Sequence, residues 1–311
     1  MRRKPAIIAV AIATAITVVS GGVGAEQRRS TVTNSFDETG LLQAFEAAKT
    51  GDYEPLGALP APTAAAIPAL DRLLADNNET VRREAVTMLG RIDDPAAALV
   101  LSGALADPVD DVATRAAAAI YRLGPDAMQP GVGEQIRKAV ENGLTAGGAI
   151  LILAHDAASE ETIEALQVLR EAKGDELSEV FPSSPAVSVG LMADTALAKL
   201  GDAQAKDRLI AAAGSGDLPT AEFLLSALRE IDSPRVIEAL AAVTLADSRP
   251  VQGDAPSGAE TGMRLSDLAA TRFAARFDLA AGIDDMADER LPDETIEAVK
   301  AELENYLAAA R

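Results

Sequence analysis

The sequence predicts an all-α protein, an α-solenoid of about five to six stacked helix pairs with a capping helix at each end. Three observations predict it. Apolar residues make up 48% of the chain and are dominated by Ala with Leu, Ile and Val, whereas aromatics are 3% and Trp is absent. Ala and Leu are good helix formers that permit close approach, so thin helix-on-helix packing is favoured over a bulky core or a β-sandwich. Apolar positions recur at helical rather than strand spacing. Finally, one kind of helix ending recurs along the chain, the mark of a repeat architecture. At 311 residues the chain exceeds a typical domain of roughly 100–200 residues, yet its composition does not shift sharply after the first few dozen residues, which suits one elongated unit.

The stretch from Asn77 to Leu105 shows the unit most clearly. Val81, Ala85, Met88, Leu89 and Ile92 fall at i, i+4, i+7, i+8 and i+11, on one helix face, with Arg82, Arg83 and Glu84 mostly off it. Asn78 is suited to an N-cap, and Gly90 to the left-handed residue that follows a helix end. Asp94-Pro95 then restarts a helix with a cap and a Pro at its first position. Two helices joined by a few residues form an αα-hairpin.

The ending Leu89-Gly90-Arg91-Ile92-Asp93-Asp94-Pro95 is echoed at Leu123-Gly124-Pro125-Asp126, Leu200-Gly201-Asp202, Leu228-Arg229-Glu230-Ile231-Asp232-Ser233-Pro234 and Gly282-Ile283-Asp284-Asp285, with a weaker copy at Leu153-Ala154-His155-Asp156. From Leu89 through Leu123, Leu153, Leu200 and Leu228 the spacings are 34, 30, 47 and 28 residues. The long interval holds an insertion at 174–190; a second, at 249–262, is rich in Pro and Gly, lacks periodicity and is expected to be a mobile loop. Phe36 to Lys49 is expected to cap one end of the array and Asp293 to Ala310, with Leu303 and Leu307 one turn apart, the other.

The first residues read as an address. Met1-Arg2-Arg3-Lys4 is a positive n-region, Pro5 to Val19 an apolar h-region, and Gly21 to Ala25 a small-residue stretch ending in a cleavage site between Ala25 and Glu26. The expected organisation is therefore a signal peptide at 1–25, a disordered tail at 26–35 and the solenoid at 36–311, with export to a periplasmic or extracellular place. Because Pro5 to Ala25 is 21 residues without a charge, an uncleaved segment would instead tether the chain to a membrane, which roughly 20 apolar residues can span. The chain has no Cys, so disulfides, thiolate metal sites and a thiol lipid anchor are excluded and packing alone must hold it together.

The pattern "ETVRREAVTMLGRIDDPAA" resembles the short HEAT-like repeat of the phycobilisome-lyase type, in the armadillo-type superfamily, whose units look like "D-x-x-V-R-x-x-A-x-x-A-L-G-x-I-x-D-P". Residues 64–126 match well, 143–246 loosely, and those after 263 only in traces; Arg82 stands where the family's Val-Arg pair has its Arg, and Arg115 is displaced by a residue or two. The resemblance implies helix pairs that bury their apolar stripes against neighbours and present an extended surface. It does not imply lyase activity, since such repeats serve many unrelated scaffolds and a phycobilin lyase would work inside the cell.

Chemistry-bearing patterns are sparse. His155 is the single histidine; its place at a helix end fits a structural role near free carbonyls, and no Gly-x-Ser-x-Gly elbow accompanies it. There is no His-Glu-x-x-His. The acidic loops Asp107 to Asp111 and Asp284 to Glu289 lack the ligand spacing of an EF-hand and read as capped turns. With 6 Phe, 3 Tyr and no Trp there is little on which a sugar or base could stack. The net charge of −20, which becomes −23 once residues 1–25 and their three basic residues are removed, repels nucleic acid and anionic lipid.

The expected function is an exported, non-catalytic scaffold that binds a protein partner, one with a basic surface being the electrostatic complement. No cofactor, metal, nucleic acid or small-molecule substrate is indicated, and a membrane only through an uncleaved N-terminus. Arg82 and Arg83 are the candidate partner contacts, with a solvated or intra-repeat ion-pair role as the simpler account. The alternative is a carboxylate-based calcium-binding module or hydrolase, which requires several carboxylates to converge in one pocket.

Overall fold

Short polar side chains begin many of the helices. Asp37, Asn78, Ser188, Asp202 and Asp217 each accept from a backbone N–H of the first turn they precede, satisfying donors that a helix start leaves unpaired. Pro219 and Pro234 sit just inside helix starts, where a missing N–H costs nothing. In the computed structural model the described residues are 36–156, 160–182, 184–251, 262–279, 283 and 290–309. Among them the helices are α1 (Glu38–Ala48), α2 (Glu54–Gly57), α3 (Ile67–Leu73), α4 (Glu79–Leu89), α5 (Ala96–Gly103), α6 (Asp110–Leu123), α7 (Pro130–Glu141), α8 (Gly147–Ile152), α9 (Glu160–Lys173), α10 (Val189–Lys199), α11 (Ala203–Ala213), α12 (Leu218–Ser226), α13 (Pro234–Thr244), α14 (Leu265–Phe277) and α15 (Asp293–Ala309).

The fold is an all-α solenoid. Helices α4, α6, α8 and α10 pack in succession as one layer, which α12 and α14 continue. A second layer runs through α3, α5, α7 and α9, and resumes as α11, α13 and α15. The repeat leucines hold the first layer in register: Leu89, Leu123, Leu153, Leu200 and Leu228 stand at or just past the ends of α4, α6, α8, α10 and α12, and Leu89, Leu153 and Leu228 are buried. Val81, Ala85, Met88, Leu89 and Ile92 are all buried, as the period requires. The two terminal segments fold as the sequence leads one to expect, into α1 and α15, and Leu303 and Leu307 are buried.

Three local features differ from, or add to, what the sequence leads one to expect. Gly90 is right-handed, φ −65° and ψ −13°, and is Gly for a steric reason: a Cβ would lie 2.8 Å from the Ala119 methyl and 2.7 Å from an Arg122 nitrogen, where α4 meets α6. The repeat endings after α6 and α10 do use a positive φ, 77° at Gly124 and 104° at Gly201. Second, the helix after Asp94-Pro95 starts at Ala96; Asp94 accepts from the Ala96 N–H at 2.8 Å, and Pro95 is already helical at φ −55°. Third, the insertion at 174–190 is structured. Strands β1 (Leu177–Ser178) and β2 (Val187–Ser188) pair antiparallel, and Glu179 accepts the Gly147 N–H at 3.0 Å, docking the hairpin on the start of α8. Of the insertion at 249–262, residues 252–261 lie outside the described residues, while its two ends pair, Val251 N–H donating to Met263 at 3.0 Å. The N-terminal 35 residues, and with them the signal segment and tail, also lie outside, as does the last echo of the repeat ending apart from Ile283.

Where the insertion lengthens the repeat, α9 and α11 both pack on α10. Asp194 of α10, 9% exposed, accepts from Arg170 of α9 and Arg208 of α11, each Nε at 2.8 Å. One buried carboxylate thereby ties two second-layer helices to the same first-layer helix, with two cations offsetting its desolvation.

Candidate functional site

Arg82 and Arg83 are neighbours in sequence and have different surroundings. Arg82 Nε and Nη2 donate to the two oxygens of Asp107 at 2.7 and 3.1 Å, and its Nη1 donates to the Asp76 carbonyl at 2.9 Å. The pair is nearly buried, with side chains 11% and 6% exposed. This bidentate geometry joins α4 to the turn after α5, and Asp107 also caps that turn through the Val109 N–H. Arg83 is half-buried, with Nε 3.6 Å from Glu84. Arg115 pairs one helical turn back with Asp111 at 2.9 Å. Ala25 and Glu26 lie outside the described residues.

The histidine belongs to a network that spans the repeats. His155 Nε2 lies 2.7 Å from Glu230 Oε2, and Glu230 has no exposed side-chain surface. Arg229 Nε donates to the other carboxylate oxygen at 2.7 Å, and Lys199 Nζ stands 3.5 Å away while donating to the Arg229 carbonyl at 2.8 Å. The Arg229 guanidinium lies 3.8 Å from the Tyr121 ring centroid, and its Nη2 donates to the Tyr121 carbonyl at 2.7 Å. Burial by itself would raise the Glu230 pKa; His155, Arg229 and Lys199 outweigh it and hold the carboxyl below its ordinary value. The Tyr121 hydroxyl is pushed up, chiefly by burial and then by the Glu230 charge. The arrangement balances one buried anion with three basic side chains. It braces α6 against the segment after α12, well beyond the next helix of the first layer, a contact that a strictly nearest-neighbour array would lack.

Sequence reasoning placed His155 at a helix end and missed its partner. One signal exists: Tyr121, His155, Lys199 and Glu230 each stand one or two residues from a repeat leucine. That shared register places them along one edge of the first layer.

A second polar region is open to solvent. A groove of about 410 Å³ runs between α4, α6 and the insertion hairpin, lined by Arg91, Arg115, Arg122, Ala118, Ala119 and Phe181 among others. An adjoining groove of about 420 Å³ shares Arg91 and Arg122 and includes Ile92 and Asp93. Arg122 Nη2 donates to the Gly90 carbonyl at 2.8 Å, whereas Arg91 is exposed, with no ion pair or side-chain hydrogen bond among the described residues. Phe181 is 40% exposed and rests against Tyr121 with ring centroids 5.8 Å apart. Arg83 and Thr87 fall on the same α4 face, two turns and one turn before Arg91; Thr87 lines the groove.

Carboxylates do not converge elsewhere: no group of three or more His, Cys, Asp or Glu is arranged to hold a metal ion among the described residues. The acidic loop Asp284 to Glu289 lies outside them. Among those residues, too, no helix is long and apolar enough to cross a membrane.

Stacked helix pairs with ionic braces between repeats define an α-solenoid repeat protein. Residues 54–121, from α2 into α6, match the family model of HEAT repeats, a match that supports a HEAT-like repeat array. That match does not specify the phycobilisome-lyase type. HEAT repeats generally mediate protein–protein interactions, and their fold is typically a non-catalytic scaffold. No curated protein matches the sequence significantly.

Proposed function

We propose that this chain is an exported, non-catalytic scaffold that holds a protein partner on its solenoid surface. The observation that carries the reading is where the buried ionisable groups go. Asp107, Asp194 and Glu230 are each matched with cations and join helices, whereas an enzyme needs such groups to converge, incompletely paired, on a substrate cavity. Export rests on the charge and apolar pattern of Met1 to Ala25, and a chain of net charge −20 favours a partner that is basic overall.

The test is affinity capture by residues 26–311 from an envelope extract of the source cell, with and without a calcium chelator and at two salt concentrations. A single stoichiometric partner, indifferent to chelator and weakened by salt, supports the scaffold. Capture that disappears with chelator favours the calcium-dependent alternative, and no capture removes the scaffold reading. N-terminal sequencing of the exported product is expected to start at Glu26; a start at Met1 refutes cleavage.

A further inference from the structure

The groove between α4, α6 and the insertion hairpin reverses the charge of the molecule. In a chain of net −20, three guanidiniums, those of Arg91, Arg115 and Arg122, surround one apolar floor. Among the residues lining the two grooves the acid is Asp93, exposed in the adjoining one, and Asp111 pairs with Arg115. A guanidinium carries five N–H donors. Arg122 uses one on the Gly90 carbonyl and Arg115 one on Asp111, so donors on both, and all those of Arg91, remain for a ligand. The apolar part is equally specific. Val86, Ala118 and Ala119 are buried and form the base, and Phe181 stands 40% exposed at the edge, held in place by Tyr121.

Resting on the scaffold reading, we propose that this groove docks an acidic peptide segment of the partner, two or three carboxylates flanking one apolar side chain. The carboxylates take the bidentate donors of Arg91, Arg115 and Arg122, and the apolar side chain packs between Phe181 and the alanine floor. The net charge works against highly anionic polymers and lipid surfaces, whose many charges meet the whole negative field. A short segment has few charges, and these meet the arginines at contact distance. Local basic charge set in an acidic molecule therefore selects a short acidic motif rather than an extended polyanion.

The test is fluorescence anisotropy with a labelled decapeptide of Glu and Asp around a single Phe, titrated with residues 26–311 and with the Arg91→Glu variant. Among the described residues Arg91 has no side-chain partner whose loss would unfold the chain, and an unchanged melting temperature verifies this. Saturable binding that weakens with salt and falls about tenfold or more in Arg91→Glu supports the proposal. No binding to the wild type, or equal binding to the variant, overturns it, as does an equally tight fit of the peptide with Phe replaced by Ser. Binding of phosphatidylglycerol vesicles that Arg91→Glu abolishes would reassign the groove to a lipid surface and overturn it too. If Arg91→Glu still captures the cellular partner as the wild type does, the groove proposal fails and the scaffold stands; if neither captures one, the scaffold reading itself fails.

Discussion

Adding one methyl group at Gly148 should destabilise the protein, although the same change in an open helix should stabilise it. Gly148 lies in α8 where that helix crosses α6, and a Cβ placed on it falls 2.6 Å from the Ala117 carbonyl oxygen, 2.7 Å from its carbon and 2.8 Å from the Ala118 nitrogen. Non-bonded carbon contacts are comfortable near 3.5 Å, so α8 must retreat by roughly 0.8 Å, and a gap of that size forfeits about a quarter to a half of the dispersion energy across the contact. The obstacle is backbone, which no rotamer change removes, so the cost belongs in the upper part of the usual overpacking range of about 1–3 kcal/mol. Ala exceeds Gly in helix propensity by about 1 kcal/mol, which reduces the loss without cancelling it.

Gly103, the last residue of α5, has open space where a side chain would go: a Cβ there meets nothing within 4 Å, and its φ is a helical −65°. At this position the propensity gain acts alone, and Ala should raise stability by up to about 1 kcal/mol. The two variants are compared by urea denaturation followed by far-UV circular dichroism, at matched m-values. The expected midpoints move in opposite directions. If Gly148→Ala matches or exceeds the wild type, close approach of α6 and α8 is not what that glycine provides.

Arg82→Ala should cost about 2–4 kcal/mol, since it strands the nearly buried Asp107 carboxylate; Asp107→Asn on top of it should recover part of the loss, which a double-mutant cycle in urea would measure. Gly124→Ala has open space around it but a φ of 77°, so a loss of about 1–3 kcal/mol from backbone strain alone is expected, and an unchanged melting curve would contradict it. Glu230 has a folded pKa below its ordinary value of 4.5. Its stabilisation is therefore present above that value and lost as pH falls through the folded one. The wild type should lose stability with acidification over that range, and Glu230→Gln, weaker at neutral pH, should show a shallower acid slope; parallel slopes would mean the carboxylate is not the group responsible.

Much of the fold was legible because its determinants are local. The stripe through Val81, Ala85, Met88 and Leu89 repeats with the helical turn, and Asn78 caps the donors two and three residues ahead of it. Both signals act within a few residues, so their meaning does not depend on the rest of the chain. Gly90 shows the limit. Position alone suggests a left-handed helix end, but the φ is set by the ladder it continues and the need for Gly by Ala119 on the next first-layer helix. The insertion shows it again: its sequence interrupts the repeat, while its docking on α8 depends on a hydrogen bond to Gly147 and on Tyr121 receiving Phe181.

By itself the sequence determined an all-α array, the order and approximate limits of its helix pairs, the register of its leucines and the absence of thiol chemistry. These follow from side-chain period, caps and composition, which act over one or two turns. Only the tertiary structure decided what the polar residues serve. It assigned Arg82 to Asp107, brought Arg229 against Tyr121 across 108 positions and set Arg91, Arg115 and Arg122 around one groove. Such meetings depend on the small rotation between successive repeats, summed over several of them, and no single repeat carries that sum in its own residues.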